Sequence, residues 1–335
     1  MAIVVALALA AGMVFAGAIE TQAATLSPKL VIAHATINPR VAPLWVAKDE
    51  GLFTKYGVEA EVVHVRSASV LAAALTSGDV QIGLIGASAV LAAAAGGIDL
   101  RVFGSLSNRT VFSLAVRPGI KDREDLRGGR FGVQSFGGII WLRTMLALEK
   151  LGLDQRLDKI SILVIGDSNV LSQALEAGTI DAVTLEGFAI RRLKEKGFPI
   201  LHEFDLPMLS LALVAKKATM QEHPNTVENI LKAVVESIAF VFAPSHKPAV
   251  LKTIKKRLRI SRDSVAEEAY QEILKGVDRK PQPSLEGLRN VQKAMGLYTP
   301  GVALLKTEDL IDSRLILKLD QSGFVDRTYR GYGGQ

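Results

Sequence analysis

The feature that most constrains this chain is a repeat of itself. Residues 67–90 read SASVLAAALTSGDVQIGLIGASAV and residues 167–190 read DSNVLSQALEAGTIDAVTLEGFAI, at a constant offset of one hundred. Val70, Leu71, Ala74, Leu75, Gly78 and Ala89 return as Val170, Leu171, Ala174, Leu175, Gly178 and Ala189. In each copy a Ser or Asp start signal opens a short helix with apolar residues at i, i+1, i+4 and i+5. A glycine stops the helix and a strand follows, Val80 to Ile85 and Ile180 to Leu185.

The segments ahead of the repeat match as well. Leu30–Ala33 leads through a polar loop to a helix ending at Glu50-Gly51-Leu52, and Arg130–Val133 leads through Ser135-Phe136-Gly137-Gly138 to one ending at Leu151-Gly152-Leu153. Further strands follow at 58–65 and 160–165. Each half thus reads strand, helix, strand, helix, strand, which predicts two βαβαβ sheets of parallel strands. Gly51 and Gly152 are expected in the left-handed cap conformation. Thr110–Arg117 and Met208–Lys216 are apolar strands placed to carry the chain from one lobe to the other and back. Beyond them the period turns helical, at 224–243, 247–258, 263–276, 284–296 and 306–320, and the glycine-rich end RTYRGYGGQ reads as mobile.

With 335 residues, 49% of them hydrophobic, the chain is large enough for two cores. The 40 basic and 34 acidic residues are interspersed. A net charge of +6 so distributed permits anionic ligands without implying nucleic acid. The chain has no cysteine, which excludes disulfides, thiol catalysis, Cys-bound zinc and a lipidated N-terminal cysteine. The five histidines lack metal-ligand spacing, and no phosphate-loop, dinucleotide or nucleophile-elbow motif occurs. No cofactor, metal or catalytic residue is therefore expected. Residues 1–19 are uncharged, and small-x-small sites end at Ala18 and Ala23, so residues 1–23 read as a signal peptide for export.

In open α/β sheets, ligands settle beyond the carboxyl ends of the strands. The repeat nominates six loops there: 34–40, 66–69 and 86–88 in one half, 134–138, 167–169 and 186–188 in the other. Arg40, Arg66 or Arg109 could meet an acidic group, whereas Glu186 would repel an anion and either attract an amine or offer only acceptors to a neutral ligand. Glu186 stands where the first copy has Gly86, so it is not a framework residue. Phe136 and Phe188 lie in the loops and could wall a pocket, while Trp45 and Trp141 read as core.

The stretches AKDEGLFTKYGVEAE (residues 47–61) and ALTSGDVQIGLIGASA (residues 74–89), together with Asp125-Leu126-Arg127-Gly128-Gly129-Arg130-Phe131-Gly132-Val133 and the Ala147-Leu148…Gly152-Leu153 helix end, resemble the periplasmic substrate-binding proteins of ABC importers for nitrate, sulfonates and taurine. The resemblance covers about residues 28–215 well and the tail loosely. It implies an α/β, type II periplasmic-binding-protein-like fold: two α/β lobes with mixed sheets, joined by two crossover strands, a ligand cleft between them, and the helical C-terminal part packed on lobe one. Lobe one would comprise 28–109 and 209–335, and lobe two 110–208. It implies a monomer in the periplasm that captures a small solute by lobe closure and delivers it to an ABC permease. Carried onto this sequence, the family's ligand loops fall on Thr36, Ile37, Asn38, Ala87, Ser88, Ser135, Gly137 and Gly138, with the segment around Glu186 lining the cleft. Phe136 and Phe188 in the loops, and Asn108 just before the first crossing, are further ligand candidates by their own positions in the chain. The alternative is an enzyme or precursor binder on the same fold, resembling the thiamine-pyrimidine synthases, which need a cysteine-rich iron motif and a pyridoxal-phosphate lysine.

Overall fold

The computed structural model describes residues 30–333, and the signal-peptide reading of 1–23 lies outside them. In the first half, β1 (Leu30–His34), α1 (Ala42–Asp49), α2 (Leu52–Lys55), β2 (Ala60–His64), α3 (Ala68–Ser77), β3 (Ile82–Ile85) and α4 (Ala87–Ala95) lead into the long β4 (Leu100–Val116). The second half repeats the plan with β5 (Arg130–Val133), α5 (Ile139–Lys150), β6 (Ser161–Val164), α6 (Ser168–Glu176), β7 (Ala182–Leu185), α7 (Gly187–Glu195) and the equally long β8 (Ile200–Lys216). The tail is helical: α8 (Lys217–Glu222), α9 (Pro224–Phe242), α10 (Lys247–Leu258), α11 (Asp263–Gly276), α12 (Leu285–Gly296), α13 (Pro300–Ala303), α14 (Arg314–Gln321) and α15 (Phe324–Gly331).

The repeat folds as its caps dictate. The Ser67 hydroxyl accepts from Val70 N to start α3, and the Asp167 carboxylate accepts from Asn169 N and Val170 N to start α6. Gly78 and Gly178 stop both helices at φ +91° and +72°. Gly51 and Gly152 share φ +69° and have the left-handed conformation expected of them. β1 pairs in parallel with β2 and β3, as β5 does with β6 and β7.

One expectation is corrected. The crossing strands begin earlier than Thr110 and Met208, run 17 residues each, and pair antiparallel with each other along that length. They join the halves into a single eight-stranded order, β2-β1-β3-β8-β4-β7-β5-β6, in place of two sheets. Their ladder shifts register at Val102/Gly104, Ser105/Ser107 and Ser107/Arg109, where the chain passes between lobes. Ser105 and Ser107 are buried there and satisfy the interrupted backbone. Ser105 Oγ donates to Leu211 O at 3.1 Å and accepts from Ser107 N at 3.2 Å.

The core divides by sheet face. One cluster runs through both lobes, from Leu71 and Leu91 through Phe112 and Phe131 to Trp141 and Leu171. The other lies beneath α9, α10, α11, α14 and α15 on lobe one, around Trp45, Phe53, Phe103 and Ile238. The tail departs from expectation twice. Ile311 bridges Val102, and Asp312 N donates to Val102 O at 2.8 Å, which splits the expected 306–320 helix into a short turn and α14. The glycine-rich end is ordered as far as residue 333, the last described: α15 buries Val325 and Tyr329, and the Tyr329 hydroxyl donates to Arg279 O at 2.6 Å.

Gly132 shows how closely the helices approach the sheet. A Cβ there would lie 2.6 Å from Ile180 Cδ1 and 2.7 Å from Leu171 Cδ2. Gly132→Ala is expected to destabilise the fold by about 2 kcal/mol through overpacking. A urea midpoint unchanged from the parent would refute that account of the packing.

Candidate functional site

β1 ends in His34, which is buried and sets the first loop. Its Nδ1–H donates to Thr36 O at 2.7 Å, and Nε2 accepts from Trp45 Nε1 at 3.1 Å. Burial lowers its pKa, so the ring is held neutral and in one tautomer. Asn38 then accepts from Arg40 N at 2.9 Å, while its amide reaches Thr36 Oγ1 at 3.3 Å. Ile37, between them, is 53% exposed.

The other strand-end loops present backbone. Gly86, Gly138 and Glu186 occupy the cap positions of α4, α5 and α7, and none supplies a side-chain cap, in contrast to Ser67 and Asp167 on α3 and α6. The first N–H groups of three helices are thus left for water or a ligand. Ala87 is buried at the start of α4, and Ser88 is half-buried beside it. The hydroxyls of Ser88 and Ser135 have no protein partner among the described residues. Gly137, at φ +74°, makes the turn that brings Gly138 N back to Ser135 O. Phe136 is 59% exposed on that turn, with Ile139 exposed behind it. Phe188 is the second residue of α7.

The sequence reading missed Arg143. It lies in the middle of α5 and is buried. Nε donates to Thr110 Oγ1 on the crossing strand β4 at 3.0 Å, Nη2 donates to Glu186 Oε2 at 2.6 Å, and the guanidinium lies 5.8 Å from the Phe112 ring. Burial lowers its pKa and Glu186 opposes that, and an arginine remains a cation regardless. The available signal was a single charge within the first ten residues of the helix, IIWLRTMLAL, which are otherwise uncharged.

From lobe one, Arg40 Nη2 approaches the same Glu186 Oε2 at 3.8 Å, and Arg40 Nε lies 3.8 Å from Glu272 on α11. A second tie across the lobes joins Arg191 of α7 to Glu268 of α11 at 3.0 Å. Glu186 therefore does not stand as a free acid awaiting an amine, as the sequence suggested, because two arginines already address it. Asn108 is likewise engaged: its amide donates to Asp278 Oδ2 at 2.8 Å and to Gln282 O at 2.7 Å, and its carbonyl accepts from Ser284 N at 2.8 Å. It fixes the 278–284 connection to the crossing strand and has no donor left over. Arg109 pairs with Asp205 at 2.6 Å across the two crossing strands. A surface groove of about 640 Å³ between α10 and α11, rimmed by Lys252, Lys255, Asp263 and Glu267, contains none of the strand-end residues. Two of its charges pair with each other, Lys255 with Asp263, and Glu267 pairs with Lys247 just outside the groove.

Two lobes joined by two long strands, with helix starts at the strand ends, define the type II periplasmic-binding-protein class. A family model described as NMT1/THI5 like matches residues 38–246, and the chain belongs to that family. The periplasmic sulfonate-binding protein SsuA of Methylobacillus flagellatus KT superposes with a TM-score of 0.68 at 16% identity, covering 89% of this chain and 95% of that one. The aliphatic sulphonate binding protein SsuA of Escherichia coli gives 0.64 at 18% identity, over 86% and 98%. The nitrate-binding protein NrtA of Synechocystis PCC 6803 gives 0.59 at 13%, over 88% of each. By sequence, a protein of Brucella abortus (strain 2308) named as a binding protein is 27% identical over 205 residues, 58% of this chain and 61% of that protein's length. The 4-amino-5-hydroxymethyl-2-methylpyrimidine phosphate synthase of Schizosaccharomyces pombe is 34% identical over 105 residues, 30% of each chain.

Proposed function

We propose that this chain is the exported solute-binding component of an ABC importer, which closes its lobes on a small organic solute and hands it to a membrane permease without chemical change. The observation that carries the reading is the composition of the strand-end loops. Uncapped helix starts, two serine hydroxyls without partners among the described residues and two arginines are interspersed with exposed Ile37, Phe136 and Ile139. Donors with an apolar surround suit a solute with a polar or anionic group on an organic body better than a bare inorganic ion. The likeness to proteins named for sulfonate binding supports the same class. The uncharged leader at residues 1–19 supports export, and no helix among the described residues is long and apolar enough to cross a membrane. The partial likeness to the pyrimidine phosphate synthase favours including pyrimidines among the solutes. The chain's lack of cysteine speaks against a cysteine-rich iron motif here.

Thermal-shift screening of the chain from residue 24 against sulfonates, carboxylates, nitrate, amines and pyrimidines tests the reading. A cognate solute at 100 times its Kd should stabilise the fold by about 2.7 kcal/mol and be recovered unaltered. Turnover of the solute, or no shift from any class, would overturn it.

A further inference from the structure

The Arg40, Glu186 and Arg143 cluster deepens that reading and rests on it. We propose that the Glu186 carboxylate is a built-in substitute for the solute's own acidic group: it occupies the position between Arg40 of lobe one and Arg143 of lobe two, and a monoanionic organic solute binds by displacing it.

Four observations support the assignment. First, a single oxygen, Oε2, is shared, 2.6 Å from Arg143 Nη2 and 3.8 Å from Arg40 Nη2. Two guanidinium groups from opposite lobes thus converge on one carboxylate, as they would on a bound anion. Second, the cations are fixed and the acid is movable. The side chains of Arg143 and Arg40 are 5% and 12% exposed, against 41% for Glu186. Third, Arg40 is under-satisfied: its Nε is buried without a hydrogen-bond partner among the described residues, and its ion pairs there, to Glu186 and Glu272, are both long. Its arm lies in a notch that only glycine provides, since a Cβ on Gly276 would come within 2.6 Å of Arg40 Cδ. Fourth, Glu186 occupies the cap position of α7 without capping the helix, and the equivalent residue in the first repeat is Gly86. The acid is thus unnecessary to the scaffold and is directed at the arginines.

The charges define the solute class. With Glu186 swung out to solvent, Arg40 and Arg143 face Glu272 alone, 3.8 Å from Arg40, which leaves room for one negative charge and not two. Exposed Ile37 and Phe136 then favour an apolar body on that anion.

The test uses benzoate and benzenesulfonate as anionic probes, with benzamide and benzylamine as neutral and cationic controls. Binding is read by calorimetry and compactness by small-angle scattering. Glu186→Gln should bind both anions about tenfold more tightly than the parent, because a charge-assisted hydrogen bond no longer has to be given up. Without ligand this variant should have a larger radius of gyration, as the two arginines repel, and either anion should restore the parent value. Adding Arg40→Gln or Gly276→Ala to it should cancel the gain, the second without removing any charge. Anion affinity in Glu186→Gln equal to or below the parent's overturns the proposal, as does failure of both proteins to bind either anion. Benzylamine binding that Glu186→Gln abolishes would also overturn it, making Glu186 a direct ligand for an amine and leaving solute capture intact. Loss of solute capture itself would appear in the wider thermal-shift screen, where no class of compound would register.

Discussion

Replacing Glu236 with alanine is expected to destabilise the folded chain by about 3 kcal/mol, the scale for breaking a buried hydrogen-bonded charge cluster. Glu236 is buried in α9, 3% exposed, and three donors converge on it at 2.6 Å: Lys55 Nζ, the Tyr56 hydroxyl and the Tyr332 hydroxyl. It ties together α9, the end of α2 and the residue that follows α15. Truncation would leave both phenols without their acceptor and free the chain end. The transition measured in urea should move down, and proteolysis should begin within 324–333. Glu236→Gln keeps an acceptor for the tyrosines and should lose less, about 1 kcal/mol.

The same residue has a pH signature. Burial alone would raise its pKa, but the hydrogen bonds from Lys55, Tyr332 and Tyr56 outweigh it and hold the carboxyl below its ordinary value. A depressed folded pKa stabilises above the unfolded value, and that stabilisation is lost as the pH falls through the folded one. The stability gap between the parent and Glu236→Gln should therefore be full at neutral pH and narrow below about pH 4. A gap that does not change with pH would show that the carboxylate is not the source of the effect.

Gly287→Ala should weaken the fold by about 3 kcal/mol, because the wall it meets is backbone and cannot rotate away. A Cβ at this position would lie 2.7 Å from Leu209 N and 3.0 Å from Met208 C, both on the crossing strand β8. The contact belongs to a helix that reaches both the crossing strand β8 and α5 of lobe two. In α12 the Asn290 amide donates to Pro207 O at 2.9 Å and Lys293 pairs with Glu149 of α5. Just beyond its end, Tyr298 packs edge-on against Trp141, ring centroids 4.9 Å apart. Pushing α12 off β8 should speed hydrogen exchange at residues 207–211 as well as lowering the melting temperature. Gly301→Ala is the control, since its nearest neighbour would be Ala95 Cβ at 3.8 Å. Equal effects from the two would show that helix entropy rather than close approach is responsible.

The tail shows where sequence reading succeeds and where it stops. α10 and α11 fall at 247–258 and 263–276 as their period indicates, because an amphipathic stripe is a local property. That α12 would reach across to α5 while the other long tail helices cover lobe one could not be read from period. The stripe says that a face is buried, not what buries it. The end of the chain departs from its sequence expectation for a related reason. Its glycines suggest mobility, whereas the spacing of Val325 and Tyr329 and the two hydroxyl anchors on Arg279 and Glu236 hold the described residues 324–333 in place.

The site divides along the same line. The strand-end loops, the glycine turns at Gly51, Gly78, Gly152 and Gly178, and the capping of α3 and α6 were determined by the sequence itself, because each depends on residues within one turn of one another. Asn108, Arg143 and Glu186 were decided only by tertiary structure. Asn108 meets partners 170 and more residues away, and Arg143 meets Glu186 from 43 residues away. Arg40 comes to the same oxygen from the other lobe. A charge's partner is set by which elements the sheet order brings side by side, and that order exists only once β4 and β8 have paired and brought the two halves together.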